Sequence, residues 1–229
     1  MAEFTLYGES LWASPYLFSA LVALREKKAE FDLVEVELAG GAHRRADYAE
    51  PSVTGRIPSL EHAGFRLAES SAIAEYLEEV QPAPQWPRIL PEAVRDRARA
   101  RQIMARLRSD LVALRDERST MMMFFYRSNP KPLSAQAQRD VERLVRVAEQ
   151  LVPESGGPLF GAWSLVDSEL AFLIHRLILC GDPVPERIAA YARTQWARPS
   201  VREFVDHARP AQVPETYWGI SGTPRPQTA

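Results

Sequence analysis

The chain has 229 residues with 28 basic and 30 acidic side chains, a net charge of -2 and a single cysteine, Cys180. That length supports one large domain or two small ones with an apolar core that needs no metal or disulfide staple. One cysteine excludes an intramolecular disulfide and any Cys-x-x-Cys redox or zinc motif, the intermixed charge gives no basis for wrapping nucleic acid, and no stretch sustains the roughly 18 apolar residues of a membrane span.

Met1 to Tyr7 lacks a basic region followed by a long apolar one, so a soluble, cytoplasmic protein with neither a membrane nor a nucleic-acid partner is expected. Phe4-Thr5-Leu6-Tyr7 alternates and is rich in strand formers, and Gly8-Glu9-Ser10 is read as its end. Ser14-Pro15 is an N-cap and N1 pair, and Leu17, Ala20, Leu21 and Leu24 predict a helix to about Lys28. Phe31 to Val36 is a second strand, which a right-handed crossover places parallel to the first. Residues 40–56 read as polar loop. Ile57 to Leu60 and Phe65 to Leu67 flank a turn at Gly64, a hairpin that adds antiparallel edges, and Glu69-Ser70-Ser71 opens a helix with Ile73, Tyr76 and Leu77 on its apolar face.

Gln81 to Pro87 is a proline-dense break after which strand signals nearly vanish. The expected division is therefore 1–80, a linker 81–91, a helical domain 92–212 and a mobile tail 213–229, on which Tyr217 and Trp218 are candidates to dock. Ile103, Leu107, Leu111 and Leu114 mark one helix; Val141, Leu144, Ala148 and Leu151 mark another, opened by Ser134. Leu165 to Leu179 is apolar on nearly every face, as a buried central helix would be, and two further helices are expected over 185–196 and 199–208. The arginines from Arg95 to Arg108 spread around a helix among acids such as Asp96 and Asp110, which fits a solvated helix or a subunit contact better than a phosphate-binding stripe.

This order, with Ile57-Pro58, Glu69-Ser70-Ser71-Ala72-Ile73, Ser164-Leu165-Val166-Asp167 and Trp196 before Arg198-Pro199-Ser200, resembles the cytosolic glutathione transferases over about residues 4–208. Within them the chain looks closest to a bacterial, serine-type branch with Ser14-Pro15-Tyr16 after the first strand and the run Arg97 to Ile103. The resemblance implies an α/β thioredoxin-like N-terminal domain followed by an all-α helical bundle, a homodimer, and glutathione as co-substrate without a metal. The implied reaction is attack of a glutathione thiolate on a small hydrophobic electrophile or a hydroperoxide. A non-catalytic glutathione-binding or regulatory module on the same fold is the rival.

Glutathione carries a carboxylate at each end and a thiol between, so its site needs two anion receptors and a group that stabilises a thiolate. By resemblance, Ser70 receives the γ-glutamyl carboxylate at a helix start and Glu69 pairs with the ammonium group, although serine there is also an ordinary N-cap. Only about 5–6% of X-Pro bonds are cis, so sequence alone reads Ile57-Pro58 as trans; the resemblance implies cis, with the Ile57 main chain offered to the cysteinyl part. His43 and Arg56 match positions that reach the glycine end, with Arg44 and Arg45 as competitors. Ser14 takes the catalytic place, donating its hydroxyl to sulfur; Ser10 and Tyr7 compete for it. Ser14 stands where related proteins carry the first cysteine of Cys-Pro-Tyr, which argues against disulfide exchange through the protein. The run Met121 to Tyr126, with Met122 and Phe125 foremost, is either buried core or a wall for the electrophile, and Trp12 is a further candidate for that pocket.

Overall fold

The computed structural model describes residues 2–127, 131–210 and 223–224. It divides into two units, Met1–Leu90 with Pro199–His207, and Pro91–Arg198 with Ala208–Ala229. The expected docking of Tyr217 and Trp218 lies outside the described residues.

In the first unit, β1 (Phe4–Glu9) runs through the expected Gly8-Glu9 end, because Glu9 still pairs with Val36. α1 (Pro15–Glu26) lies against it so closely that a Cβ on Gly8 would sit 2.6 Å from Leu17 Cδ1. β2 (Phe31–Val36) is parallel to β1, and the hairpin β3 (Ser59–His62) and β4 (Phe65–Ala68) adds antiparallel strands in the order β2-β1-β3-β4. Residues 40–56 are more ordered than a loop: a 3-10 turn at Ala42–Arg44 and α2 (Ala46–Ser52), the latter anchored by the buried Tyr48. α3 (Ser70–Val80) buries Ile73, Ala74 and Leu77.

The proline-rich segment 81–91 is bonded to the first unit at several points. Ile89 and Leu90 are buried in the first unit and both donate their N–H to Glu78 (2.5 and 3.1 Å). Lys27, fully buried, donates to the Gln81 carbonyl (2.8 Å) and pairs with Glu78 (3.3 Å), so the proline-rich segment is fastened rather than loose. The last helix of the expected bundle, which is α10 in chain order (Pro199–Val205), belongs to this unit as well. Ser200 donates to Glu26 (2.5 Å), Arg25 pairs with Glu203 (2.7 Å), and Phe204 meets Phe18 edge-on.

The second unit is helical: α4 (Val94–Ser109), α5 (Val112–Glu117), α6 (Thr120–Phe124), α7 (Ala135–Leu151), α8 (Leu165–Cys180) and α9 (Glu186–Trp196), with a two-residue pairing of Tyr126–Arg127 and Thr223–Pro224. The single helix expected through Leu114 breaks at Leu111, whose φ is +61°. Buried Asp140 accepts the Leu114 N–H (3.3 Å) at the start so created, while Leu111 and Leu114 still face the core. α8 is buried almost throughout, as its uniform apolarity predicts, and forms the centre of the core with Leu144, Ala148, Ile188 and Tyr191. Along α4 the arginines are engaged individually: Arg108 with Glu169 (2.5 Å), Arg106 with Asp110 (3.8 Å), Arg99 with Gln102 (2.6 Å). Among the described residues no helix is long and apolar enough to cross a membrane, and no group of three side chains could hold a metal ion.

Candidate functional site

Strand register gathers residues far apart in sequence. Tyr7 faces Ser59 across β1 and β3, and Ser59 faces Ala68 across β3 and β4. Because both pairings are antiparallel, one step beyond them places the end of β1, Pro58 with Ile57, and Glu69 with Ser70 at one end of the sheet. The loop Ser10 to Ser14 leaves from that same end. Ser14, Ile57, Glu69 and Ser70 are thus brought together within the first unit.

Ser14 is half-buried in extended conformation (φ -72°, ψ 122°) and its Oγ accepts the N–H groups of Tyr16 and Leu17, both at 3.2 Å. A serine hydroxyl has two acceptor lone pairs and one proton, so with both lone pairs turned to the helix the proton is left for an outside acceptor. That proton lies at the positive end of α1, where a developing anion is favoured.

At the start of α3, Ser70 is buried and Glu69 is exposed with φ +71°. A non-glycine residue held there costs on the order of 1–3 kcal/mol, and such outliers cluster where a ligand is clamped. The Ile57-Pro58 bond is cis. Tyr48 brackets it, donating to the Arg56 carbonyl (3.0 Å) and sharing a hydrogen bond with Ser59 Oγ (2.9 Å). Among the described residues no hydrogen bond engages the Ile57 main chain.

A concavity of about 440 Å³ next to this end is lined by His43, Arg44, Ala49, Val53, Thr54, Gly55 and Arg56. Burial first, then the charges of Arg44 and Arg56, hold His43 below the usual imidazole range, so it is neutral near pH 7 and the positive charge there belongs to the arginines. His43 Nε2 accepts from Arg44 Nε (3.3 Å), while its Nδ1 is buried without a hydrogen-bond partner among the described residues. Of the two competitors, Arg44 lines this concavity; Arg45 instead pairs with Asp47 at 3.5 Å.

The rivals of Ser14 are placed differently. The Tyr7 hydroxyl donates to Glu61 (3.1 Å) and its ring carries the Arg66 guanidinium at 4.0 Å, beside a separate 410 Å³ concavity with Tyr48 and Val34. Burial, chiefly, raises its phenol above the ordinary range. Ser10 is half-buried, with its N–H on the Val36 carbonyl (3.1 Å). Trp12 is buried in the first unit: its Nε1 donates to Glu35 (2.7 Å) and its ring stacks on His207 at 3.6 Å. In the second unit, Ser119 caps α6 through the Met122 N–H (3.4 Å); Met121, Met123 and Phe125 are core, and Met122 is half-buried.

One residue escaped the sequence reading. Glu9 looks like part of a polar strand end, yet it is only 3% exposed and its carboxylate accepts the N–H groups of Leu11 (2.8 Å), Ala13 and Ser14 (2.6 Å). An acid a few residues ahead of a serine N-cap was the available signal.

Both halves of the chain match known protein domains. Residues 2–79 match the model of the glutathione S-transferase N-terminal domain and residues 93–209 that of its C-terminal domain. A solved glutathione transferase homolog from Burkholderia, strain BGR1, with bound glutathione, is 37% identical with a TM-score of 0.71, over 88% of this chain and 95% of that one. Maleylacetoacetate isomerase of Dictyostelium discoideum is 28% identical over 150 residues, 65% of this chain and 67% of that protein. Glutathione S-transferase 3 of Zea mays is 38% identical over 77 residues, about a third of each chain (34%). With both domain models matched in order along one chain, the protein belongs to the glutathione S-transferase family.

Proposed function

We propose that the protein binds glutathione at the sheet end described above and promotes attack of its thiolate on a small hydrophobic electrophile or a hydroperoxide. The observation that carries this is Ser14, whose hydroxyl spends its lone pairs on the Tyr16 and Leu17 N–H groups and keeps its proton for sulfur. An unperturbed thiol has a pKa of about 8.5, so a donor at a helix start raises the thiolate fraction near pH 7. The bound glutathione of the Burkholderia homolog supports the same ligand here. Glu69 and Ser70 then receive the γ-glutamyl end, Ile57 offers its main chain to the cysteinyl part, and Arg56 with His43 takes the glycine end.

With a carbon electrophile the thiolate forms the C–S bond while the leaving group departs with the displaced electron pair, and no protein cysteine takes part. Of the candidates for the electrophile's pocket, Met122 is half-buried and Phe125 buried in the second unit, and Trp12 is buried in the first. A homodimer is proposed, with light scattering as its measurement and a clean monomer as the contrary result. For the chemistry, Ser14→Ala is expected to lower turnover with an aryl halide about tenfold or more, the worth of one hydrogen bond to a charged group, while calorimetric affinity for glutathione changes little. Unchanged turnover refutes the role of Ser14. Wild-type binding of glutathione with no turnover across aryl halides and organic hydroperoxides would instead identify a non-catalytic module.

A further inference from the structure

We propose that Glu9 is a positioning residue for the Ser14 hydroxyl: a buried carboxylate around which the loop wraps, setting where the thiolate's hydrogen-bond donor stands. The main-chain donors of the loop can be followed one by one. Ser10 N–H goes to the Val36 carbonyl (3.1 Å) and Trp12 N–H to Glu9's own carbonyl (3.2 Å). Leu11 N–H goes to one oxygen of the Glu9 carboxylate (2.8 Å), and the N–H groups of Ala13 and Ser14 go to the other (2.6 Å for Ser14). Apart from Ser10, the whole loop is therefore hung on Glu9. A carboxylate buried this deeply is tolerable only when its oxygens are bonded, so the carboxylate and the loop fix each other.

Ser14 is held from both sides as a result. Its N–H is fixed to Glu9 and its Oγ to the first turn of α1, which leaves the hydroxyl proton a narrow range of directions. Donors aimed in advance at a developing charge are worth more than mobile ones, and a displacement of about 1 Å can cost up to 100-fold. Only a carboxylate meets the requirement at position 9. An amide of the same shape has one acceptor oxygen, and its NH2 would face either the Leu11 N–H or the pair from Ala13 and Ser14.

The test is the apparent pKa of glutathione's thiol in the complex, followed by thiolate ultraviolet absorbance against pH. As a mere nearby negative charge, Glu9 would disfavour the thiolate, and Glu9→Gln would lower that pKa. As a positioning residue it has the opposite sign: Glu9→Gln is expected to raise the pKa by about one unit, an approximately tenfold loss of thiolate below it. Added to Ser14→Ala, the same change is expected to shift it no further, since the group it positions is gone. Because the proposal rests on Ser14 as the sulfur's partner, both single variants are read together. If Ser14→Ala raises the thiol pKa and Glu9→Gln leaves it unchanged or lowers it, the role of Glu9 is overturned and that of Ser14 stands. If Ser14→Ala has no effect, both fall. Should Glu9→Gln fail to fold, Glu9→Asp, which keeps the charge and shortens the reach by one methylene, takes its place, and an unchanged thiol pKa there overturns the proposal.

Discussion

Two buried carboxylates, one in each unit, organise a helix start by the same chemistry and leave opposite results. Glu9 collects the N–H groups of Leu11, Ala13 and Ser14 ahead of α1. Asp167, in the first turn of α8, accepts the Ser164 N–H (2.9 Å) and hydroxyl (3.1 Å), the Leu159 N–H (2.9 Å) and the Tyr191 hydroxyl (2.9 Å). The difference is the side from which the carboxylate reaches its serine. Glu9 precedes Ser14 and holds only its N–H, so the Ser14 hydroxyl caps the helix and keeps a proton in reserve. Asp167 follows Ser164 and takes both its N–H and its hydroxyl, which leaves nothing to offer a ligand. One device leaves a hydroxyl proton uncommitted at the end of the sheet and the other builds core.

The comparison is broken most forcefully at Asp167. Its burial pushes the carboxyl above the usual range against the pull of its four donors, and removing it would strand Tyr191, Leu159 and Ser164 without their acceptor. Asp167→Ala is expected to destabilise the protein by roughly 3–4 kcal/mol in chemical denaturation, the sum of two or so orphaned buried donors, while the folded fraction keeps its glutathione affinity. A loss under about 1 kcal/mol would show that the two carboxylates are not equivalent devices.

Much of this was legible in the chain. Ser14 before Pro15, Ser134 ahead of α7, and Ser164 with Asp167 three residues on all mark helix starts that the structure contains. The periodicity of α8, the two parallel strands and the hairpin were equally plain, because each is a local pattern with one burial solution. What stayed hidden depends on tertiary partners. Glu9 is a polar residue in a polar stretch until three main-chain donors converge on it. The break at Leu111 keeps the apolar spacing of a continuous helix and shows only as a φ of +61° with Asp140 closing the new start. α10 reads as one more helix of the bundle, yet its ion pair to Arg25 and the seating of Phe204 assign it to the first unit. At the candidate site, Ser70 and Ile57-Pro58 could be named from sequence, but their meeting at one end of the sheet follows from register.

A second, smaller test uses the buried base of the helical unit. His175 donates its Nδ1–H to the Ala171 carbonyl (2.8 Å) and stacks on Trp196 at 3.9 Å, and burial depresses its pKa to about 4. The unfolded chain, with an ordinary histidine, binds the proton at higher pH than the folded one. Stability is therefore fully present above about pH 6.5 and lost as pH falls toward 4, by about 2 kcal/mol between pH 6.5 and 5. Denaturation midpoints measured across that range should slope accordingly, and the slope should flatten in His175→Gln. An equal slope in that variant would assign the acid sensitivity to other groups.

The smallest effect separates capping from chemistry. Ser134 caps α7 through the Ala137 N–H (3.2 Å) and gives its hydroxyl proton to Glu117 (2.5 Å), whose carboxyl that bond holds below the usual range. It is an exposed serine at a helix start, like Ser14 in its capping bond and unlike it in having already spent its proton. Replacing either by alanine should cost about 1 kcal/mol of stability, the ordinary worth of an N-cap. Only Ser14→Ala should also lower turnover, because only there does the cap leave a donor for sulfur. If Ser134→Ala reduced turnover to the same degree, the effect of Ser14→Ala would be the cost of a loosened helix, and the assignment of its hydroxyl to the thiolate would be lost.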